Sequence, residues 1–369
     1  MAVSDSRPRV LFLWETSAGH EANLRRLKPL LEAHPDLDAR VEPIPIWDPD
    51  GPFEKVGLGA IPARLRPSLR YRRLVTSERW DAIHTSSRGL RGNLHRVRSM
   101  PMVMDHDVTP SQLDDMPEYG MRRRGPAWIR DLADRRKVRA AARISTWSSW
   151  SRDGFVDAGA DPERVVVNPP GVELDVWTPV SGDAPRADDE RIRIVFVGGD
   201  LERKGGLDLI EWFRTQQDPR FELHLVTPAD VTPVPGMFVH RLREHDPRLH
   251  ELVRTAHVSV LPSRAECFGL VSIEAIASGT PVIQSDVGGA SDIVRHGRTG
   301  LLVPPADQRA FDSALHDLLS DPARYDAMRI EARADAVRRF GIERNVDTTV
   351  DLVHEAIAER RSGLAFSRA

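Results

Sequence analysis

Ile192-Arg193-Ile194-Val195-Phe196-Val197-Gly198-Gly199-Asp200-Leu201-Glu202-Arg203-Lys204-Gly205-Gly206 runs from an apolar stretch through paired glycines into a second apolar series, Leu207 to Phe213. The unbroken run Ile194 to Val197 predicts a strand buried on both faces, as in a parallel sheet. Gly198-Gly199 predicts a tight turn, and the series after it predicts a helix. The same grammar occurs earlier. Val10-Leu11-Phe12-Leu13-Trp14 is followed by Thr16-Ser17-Ala18-Gly19-His20, then by Leu24, Leu27 and Leu31 at helical spacing. Two strand–glycine–helix openings predict two doubly wound α/β domains facing one another, with ligands at the carboxyl ends of the strands and therefore in the cleft. A chain of 369 residues fits two domains, at ~150 residues each.

Further strands are predicted at Asp81–His84, Met102–Met104, Arg143–Thr146 and Val165–Val167 in the first half. In the second half they fall at Phe221–Val226, Val258–Leu261, Pro281–Ile283 and around Leu301–Val303. Residues 168–190 hold Pro169, Pro170, Gly171, Pro179, Gly182 and Pro185 and read as the interdomain linker. The domains are therefore placed at 1–175 and 176–340, with 341–369 as a C-terminal helix. Val346, Val350, Val353 and Ile357 make its single apolar stripe.

Composition narrows the function. Forty per cent hydrophobic residues suffice for sizeable cores. No stretch approaches the ~20 apolar residues of a membrane span. Met1 to Arg9 lacks an apolar signal core, so a cytoplasmic location is expected. One cysteine, Cys267, excludes a multi-cysteine metal site, and a net charge of −3 gives no reason to expect nucleic acid. Residues 55–104 nevertheless carry eleven basic and two acidic side chains. Such runs are usually solvated; the alternative is a peripheral contact with an anionic membrane at its inner face.

Four segments of the second half carry the candidate chemistry. Arg203 and Lys204 follow the glycine turn and supply cations beside a backbone that a ligand can approach. Gly-x-Gly-x-x-Gly cannot be drawn there, which weakens a dinucleotide-dependent oxidoreductase. Pro262-Ser263-Arg264-Ala265-Glu266-Cys267-Phe268-Gly269-Leu270-Val271-Ser272-Ile273-Glu274-Ala275 places a loop carboxylate, Glu266, eight positions before a helical one, Glu274. The amides at Phe268, Gly269 and Leu270 open that helix and form an anion site. The plainer reading makes Glu266 a cap-region residue and Glu274 a solvent-facing one. Ser285-Asp286-Val287-Gly288-Gly289-Ala290 is a glycine-rich turn, and Gly297-Arg298-Thr299-Gly300-Leu301-Leu302-Val303 is a turn and strand. His245, Asp246 and His250 match no standard metal-ligand spacing.

In this order the segments resemble the retaining nucleotide-sugar glycosyltransferases of family 4. Glu266 and Glu274 stand in that family's Glu–seven residues–Glu frame, followed by Ser278-Gly279-Thr280-Pro281-Val282. Asn168-Pro169-Pro170-Gly171-Val172-Glu173 looks like its interdomain joint. The resemblance implies a GT-B fold of two Rossmann-like domains across a cleft. It also implies transfer of a sugar from a nucleoside-diphosphate donor to a sugar, lipid or small-molecule acceptor, with no metal or other cofactor. Carried over residue by residue, it implies that Gly198, Arg203 and Lys204 meet the diphosphate and that Gly19 approaches it from the first domain. Glu266 would hold sugar hydroxyls beside the amides of Cys267, Phe268, Gly269 and Leu270. Glu274 would bind the ribose, and His106 would stand near the reacting sugar. The catalytic set is thus His106, Lys204 and Glu266. The stretch Asp105-His106-Asp107-Val108-Thr109 also fits a variant in which Asp107, not His106, serves. Alternatives are an epimerase or phosphorylase of the same fold, and an inactive nucleotide-sugar binder.

Overall fold

The computed structural model describes residues 7–16, 18–45, 70–86, 100–119, 127–181 and 184–362. Among them, β1 (Arg9–Thr16), β2 (Asp38–Pro45), β3 (Ala82–Thr85), β4 (Met102–His106), β5 (Arg143–Thr146) and β6 (Val165–Val167) form one parallel sheet, in the order β2-β1-β3-β4-β5-β6. A second parallel sheet holds β7 (Ile192–Val197), β8 (Phe221–Val226), β9 (Met237–His240), β10 (Val258–Leu261), β11 (Val282–Ser285) and β12 (Gly300–Val303), in the order β12-β11-β10-β7-β8-β9. The helices are α1 (Ala18–Glu32), α2 (Pro110–Asp114), α3 (Ala127–Ala140), α4 (Ser149–Asp157), α5 (Gly206–Thr215), α6 (Pro247–Arg254), α7 (Leu270–Ala277), α8 (Ala290–Ile293), α9 (Gln308–Ser320), α10 (Pro322–Arg339) and α11 (Ile342–Arg361).

These are the two doubly wound halves that the apolar runs predict. β1 is buried from Val10 to Trp14 because helices cover both faces of its sheet, so no polar alternation survives. In the second sheet the strand order reverses between β7 and β10, and at such a switch point the following loops diverge and leave a crevice. The Arg203–Lys204 loop follows β7 and the Glu266 loop follows β10.

The chain crosses between the halves twice, side by side. Val172 N–H donates to Phe340 O at 2.8 Å, and Ile342 N–H donates to Val172 O at 3.2 Å. Beyond the return, the stripe Val346, Val350, Val353 and Ile357 of α11 is buried in one cluster with Val10, Phe12, Ala82 and Val103 of the first sheet. The last helix is therefore part of the first half's core. Asn168 Nδ2 fastens it by donating to Asn345 O and Thr349 Oγ1.

No helix among the described residues is long and apolar enough to cross a membrane. Of the basic block, Lys55, Arg64, Arg66, Arg88, Arg91, Arg96 and Arg98 lie outside the described residues. Arg72, Arg73 and Arg79 are exposed, and Arg70 pairs with Glu42 at 3.3 Å.

Candidate active site

The loop after β7 is set by backbone geometry. Lys204 N–H donates to Asp200 O at 3.0 Å, and Arg203 N–H donates to Asp200 Oδ1 at 3.1 Å. Gly205 then takes a left-handed φ of 70°, and a Cβ there would lie 1.9 Å from Pro262 O. Only glycine fits, and its fit presses the two crevice loops together. The result is an ion pair: Lys204 Nζ stands 2.8 Å from Glu266 Oε2, with Arg203 Nη1 at 3.6 Å from the same oxygen. Arg203 also donates to Ala265 O at 2.9 Å. Burial works against its charge, but Glu266 and its neighbours outweigh that and hold the guanidinium above its ordinary value.

The glycine-rich turn after β11 props this loop from behind. Gly288 has φ 57° and would place a Cβ 2.0 Å from Glu266 O, while Gly289 N–H donates to Cys267 O at 2.9 Å. Cys267 is buried, its side chain packed with Val108 and Leu113. Gly269, at φ 84°, caps α7. Across the cleft, a Cβ on Gly19 would touch Leu270 Cδ1 at 3.5 Å, so the first turns of α1 and α7 meet. Two helix N-termini, each the positive end of a helix dipole, converge on one space.

That space is a solvent-open cavity of about 480 Å³. Its walls include Gly19, Gly198, Arg203, Lys204, Glu266, Cys267, Phe268, Gly269, Leu270 and Glu274, the residues singled out in sequence with one exception. His106 is not on the wall. It ends β4, and its ring stacks on Phe155 with centroids 5.9 Å apart. Its neighbour Asp107 does line the cavity, together with His20. His20 Nε2 lies 3.2 Å from Asp107 Oδ1, and the ring packs on Trp147. Burial disfavours the imidazolium, yet Asp107, Asp105 and Glu15 overcome it and raise His20 above its ordinary value. Among the described residues no three His, Cys, Asp or Glu side chains gather into a metal-binding group.

Tyr119, Arg26 and Glu244 are further residues of the site that the sequence motifs do not mark. Tyr119 reaches over from the first half: its Oη accepts from Cys267 N–H at 3.1 Å and from Arg203 Nη1 at 3.2 Å, with the guanidinium 4.5 Å above its ring. No local pattern marks it. Arg26 of α1 bonds Glu274 and Glu244, both on the cavity wall. Its signal was its position seven residues after Gly19, two turns along one helix face. Glu274 is thus an ion-paired group inside the cleft and not a solvent-facing one. Burial raises its pKa, against the pull of Arg26.

Residues 14–171 match the model of the glycosyl transferase 4-like domain, and residues 237–335 match that of glycosyl transferases group 1. D-inositol 3-phosphate glycosyltransferase from Pseudarthrobacter chlorophenolicus is 30% identical over 336 residues, which span 83% of this chain and 79% of that protein. The chain belongs to glycosyltransferase family 4. The protein of the same description from Acidothermus cellulolyticus is also 30% identical to this glycosyltransferase, over 85% of this chain and 76% of its own length. Among solved structures, sucrose-phosphate synthase from Thermosynechococcus elongatus superposes with a TM-score of 0.75 at 20% identity, covering 95% of this chain and 100% of that one. Anabaena HepE, in complex with UDP and glucose, superposes at 0.65 and 17% identity, covering 94% and 99%. These likenesses show that the glycosyltransferase has the GT-B fold.

Proposed function

We propose that this glycosyltransferase moves a sugar from a nucleoside-diphosphate donor to a hydroxylated acceptor, with retention at the anomeric carbon and without a metal. The observation that carries the reading is the convergence of Arg203, Lys204, Glu266, Glu274 and the start of α7 on one cavity at the strand-order switch point. Departure of a diphosphate requires positive charge fixed where negative charge grows. Arg203, Lys204 and two helix N-termini supply it. In the ion pair Glu266 neutralises Lys204. An entering diphosphate takes over the cations, and the released carboxylate is then an acceptor for sugar hydroxyls. The reading thus gives Lys204 and Glu266 complementary parts of one exchange. Retention rests on the family resemblance.

His20 and Asp107 line the same cavity, and this reading gives them, on the first domain, the place considered for His106, toward the acceptor. The curated relatives are named for D-inositol 3-phosphate, so a phosphorylated polyol is the first acceptor to try.

Thermal unfolding in the presence of UDP-, GDP- and ADP-sugars tests the donor. Ligand at 100 times its Kd adds about 2.7 kcal/mol to stability, so one series is expected to raise the melting temperature by at least ~2 °C, equally with and without EDTA. Absence of a shift with every nucleotide sugar rejects the donor reading, and a shift abolished by EDTA rejects metal independence.

A further inference from the structure

Arg26 sits at the centre of an acidic cluster contributed by different parts of the chain. Its side chain is 6% exposed. Nη2 bonds Glu274 Oε1 and, at 2.8 Å, Glu244 Oε1; Nε lies 3.5 Å from Glu173 Oε2. Arg26 belongs to the first half, Glu173 to the crossing, and Glu244 and Glu274 to the second half. One guanidinium among three carboxylates leaves an excess of two negative charges. Glu244 and Glu274 both line the cavity, and among the described residues the second oxygen of each accepts no hydrogen bond. Ionised carboxylates only accept, so what they lack is a donor.

The cavity is therefore polarised. One end holds Arg203, Lys204 and the helix N-termini. Glu274 lies one turn further along α7 than Leu270, about 6 Å of rise, and that end is acidic. A nucleoside diphosphate has the complementary layout: anionic phosphates, then a sugar bearing two neighbouring hydroxyl donors. Resting on the donor reading above, we propose that Glu244 is a second ribose-binding carboxylate beside Glu274, and that Arg26 is the positioning residue holding the pair for the 2′,3′-diol. Because Arg26 comes from the opposite domain, the ribose site is complete only when the two halves are together. Through Arg26 the first domain thereby takes part in ribose recognition without itself contacting the ribose.

The test is binding of UDP, GDP and ADP by calorimetry, followed by comparison of the tightest of them with its 2′,3′-dideoxy form. Glu244→Gln, which is isosteric, and Arg26→Met are expected to weaken the ribonucleotide about tenfold, the scale of one hydrogen bond to a charged group. Both penalties should vanish on the dideoxy form, which has no hydroxyl to lose. Arg26→Lys should recover part of the affinity. Wild-type affinity in Glu244→Gln, or an equal penalty on both nucleotide forms, overturns the proposal. If the wild-type chain binds none of the three nucleotides, it is the donor reading that falls.

Discussion

Lys204 Nζ and Glu266 Oε2 form a 2.8 Å ion pair inside the cleft, with only 17% and 10% of the two side chains exposed. Each group is the other's counter-charge. Lys204→Ala removes a fixed cation from the place where the donor's diphosphate is proposed to leave. Turnover is expected to fall at least ~100-fold, because a preorganised charge of this kind is worth ~3–4 kcal/mol. Titration with nucleoside and nucleoside diphosphate supplies the control: only the diphosphate should bind more weakly. Near-normal turnover would refute the assignment of Lys204.

Tyr119 Oη accepts from the Cys267 amide and from Arg203, two donors that the proposed phosphate or sugar oxygens would use. Tyr119→Phe keeps the ring beneath the guanidinium and removes the competing oxygen. Donor affinity should rise about fivefold, the equivalent of one net hydrogen bond of about 1 kcal/mol. Weaker binding measured by calorimetry would mean that the hydroxyl positions Arg203 instead of competing with the donor.

His84 is buried at 1% exposure between Phe12 and Trp14, with ring centroids 5.0 and 5.4 Å away. Burial pushes its pKa down to about 3. The folded value is thus below the unfolded one of about 6.5. The stability held by the neutral ring is complete above that pH and is lost as pH falls toward 3, at about 1.4 kcal/mol per unit. Urea unfolding of the first domain should show a steeper loss between pH 7.5 and 5.5 in the wild type than in His84→Phe. Parallel losses in the two proteins would exclude His84 as the cause.

The strands that escaped the sequence reading are both sheet edges. β2 contains Arg40, Glu42, Pro43 and Pro45, and β9 exposes Phe238. An edge strand is half-solvated and tolerates charge and proline, so it lacks the apolar run that marks a central strand. The central strands β1, β7 and β10 are mostly apolar, with Val10–Trp14 and Ile194–Val197 unbroken, because both of their faces are covered, and those were legible. Arg203, Lys204, Glu266 and Gly269 were legible for a related reason. The glycines that mark them answer local backbone demands, such as the left-handed φ of Gly205 against Pro262 O.

His106 and Asp107 show where reading by position fails. They are adjacent, but His106 is the last residue of β4 and Asp107 the first of the loop that follows it, so the chain turns between them. One packs on Phe155 and the other lines the cavity with His20, a one-residue difference that spacing within a motif does not resolve.

From the chain alone came two doubly wound halves, the crossing near residue 170 and the donor-side motif, because periodicity and glycine requirements act over a few residues. Only folding decided that Arg26, His20 and Tyr119 face Glu274, Asp107 and Arg203. Those pairs are 248, 87 and 84 residues apart. Their chemistry comes from burial and opposed charge, which exist only after the two sheets have brought distant segments together.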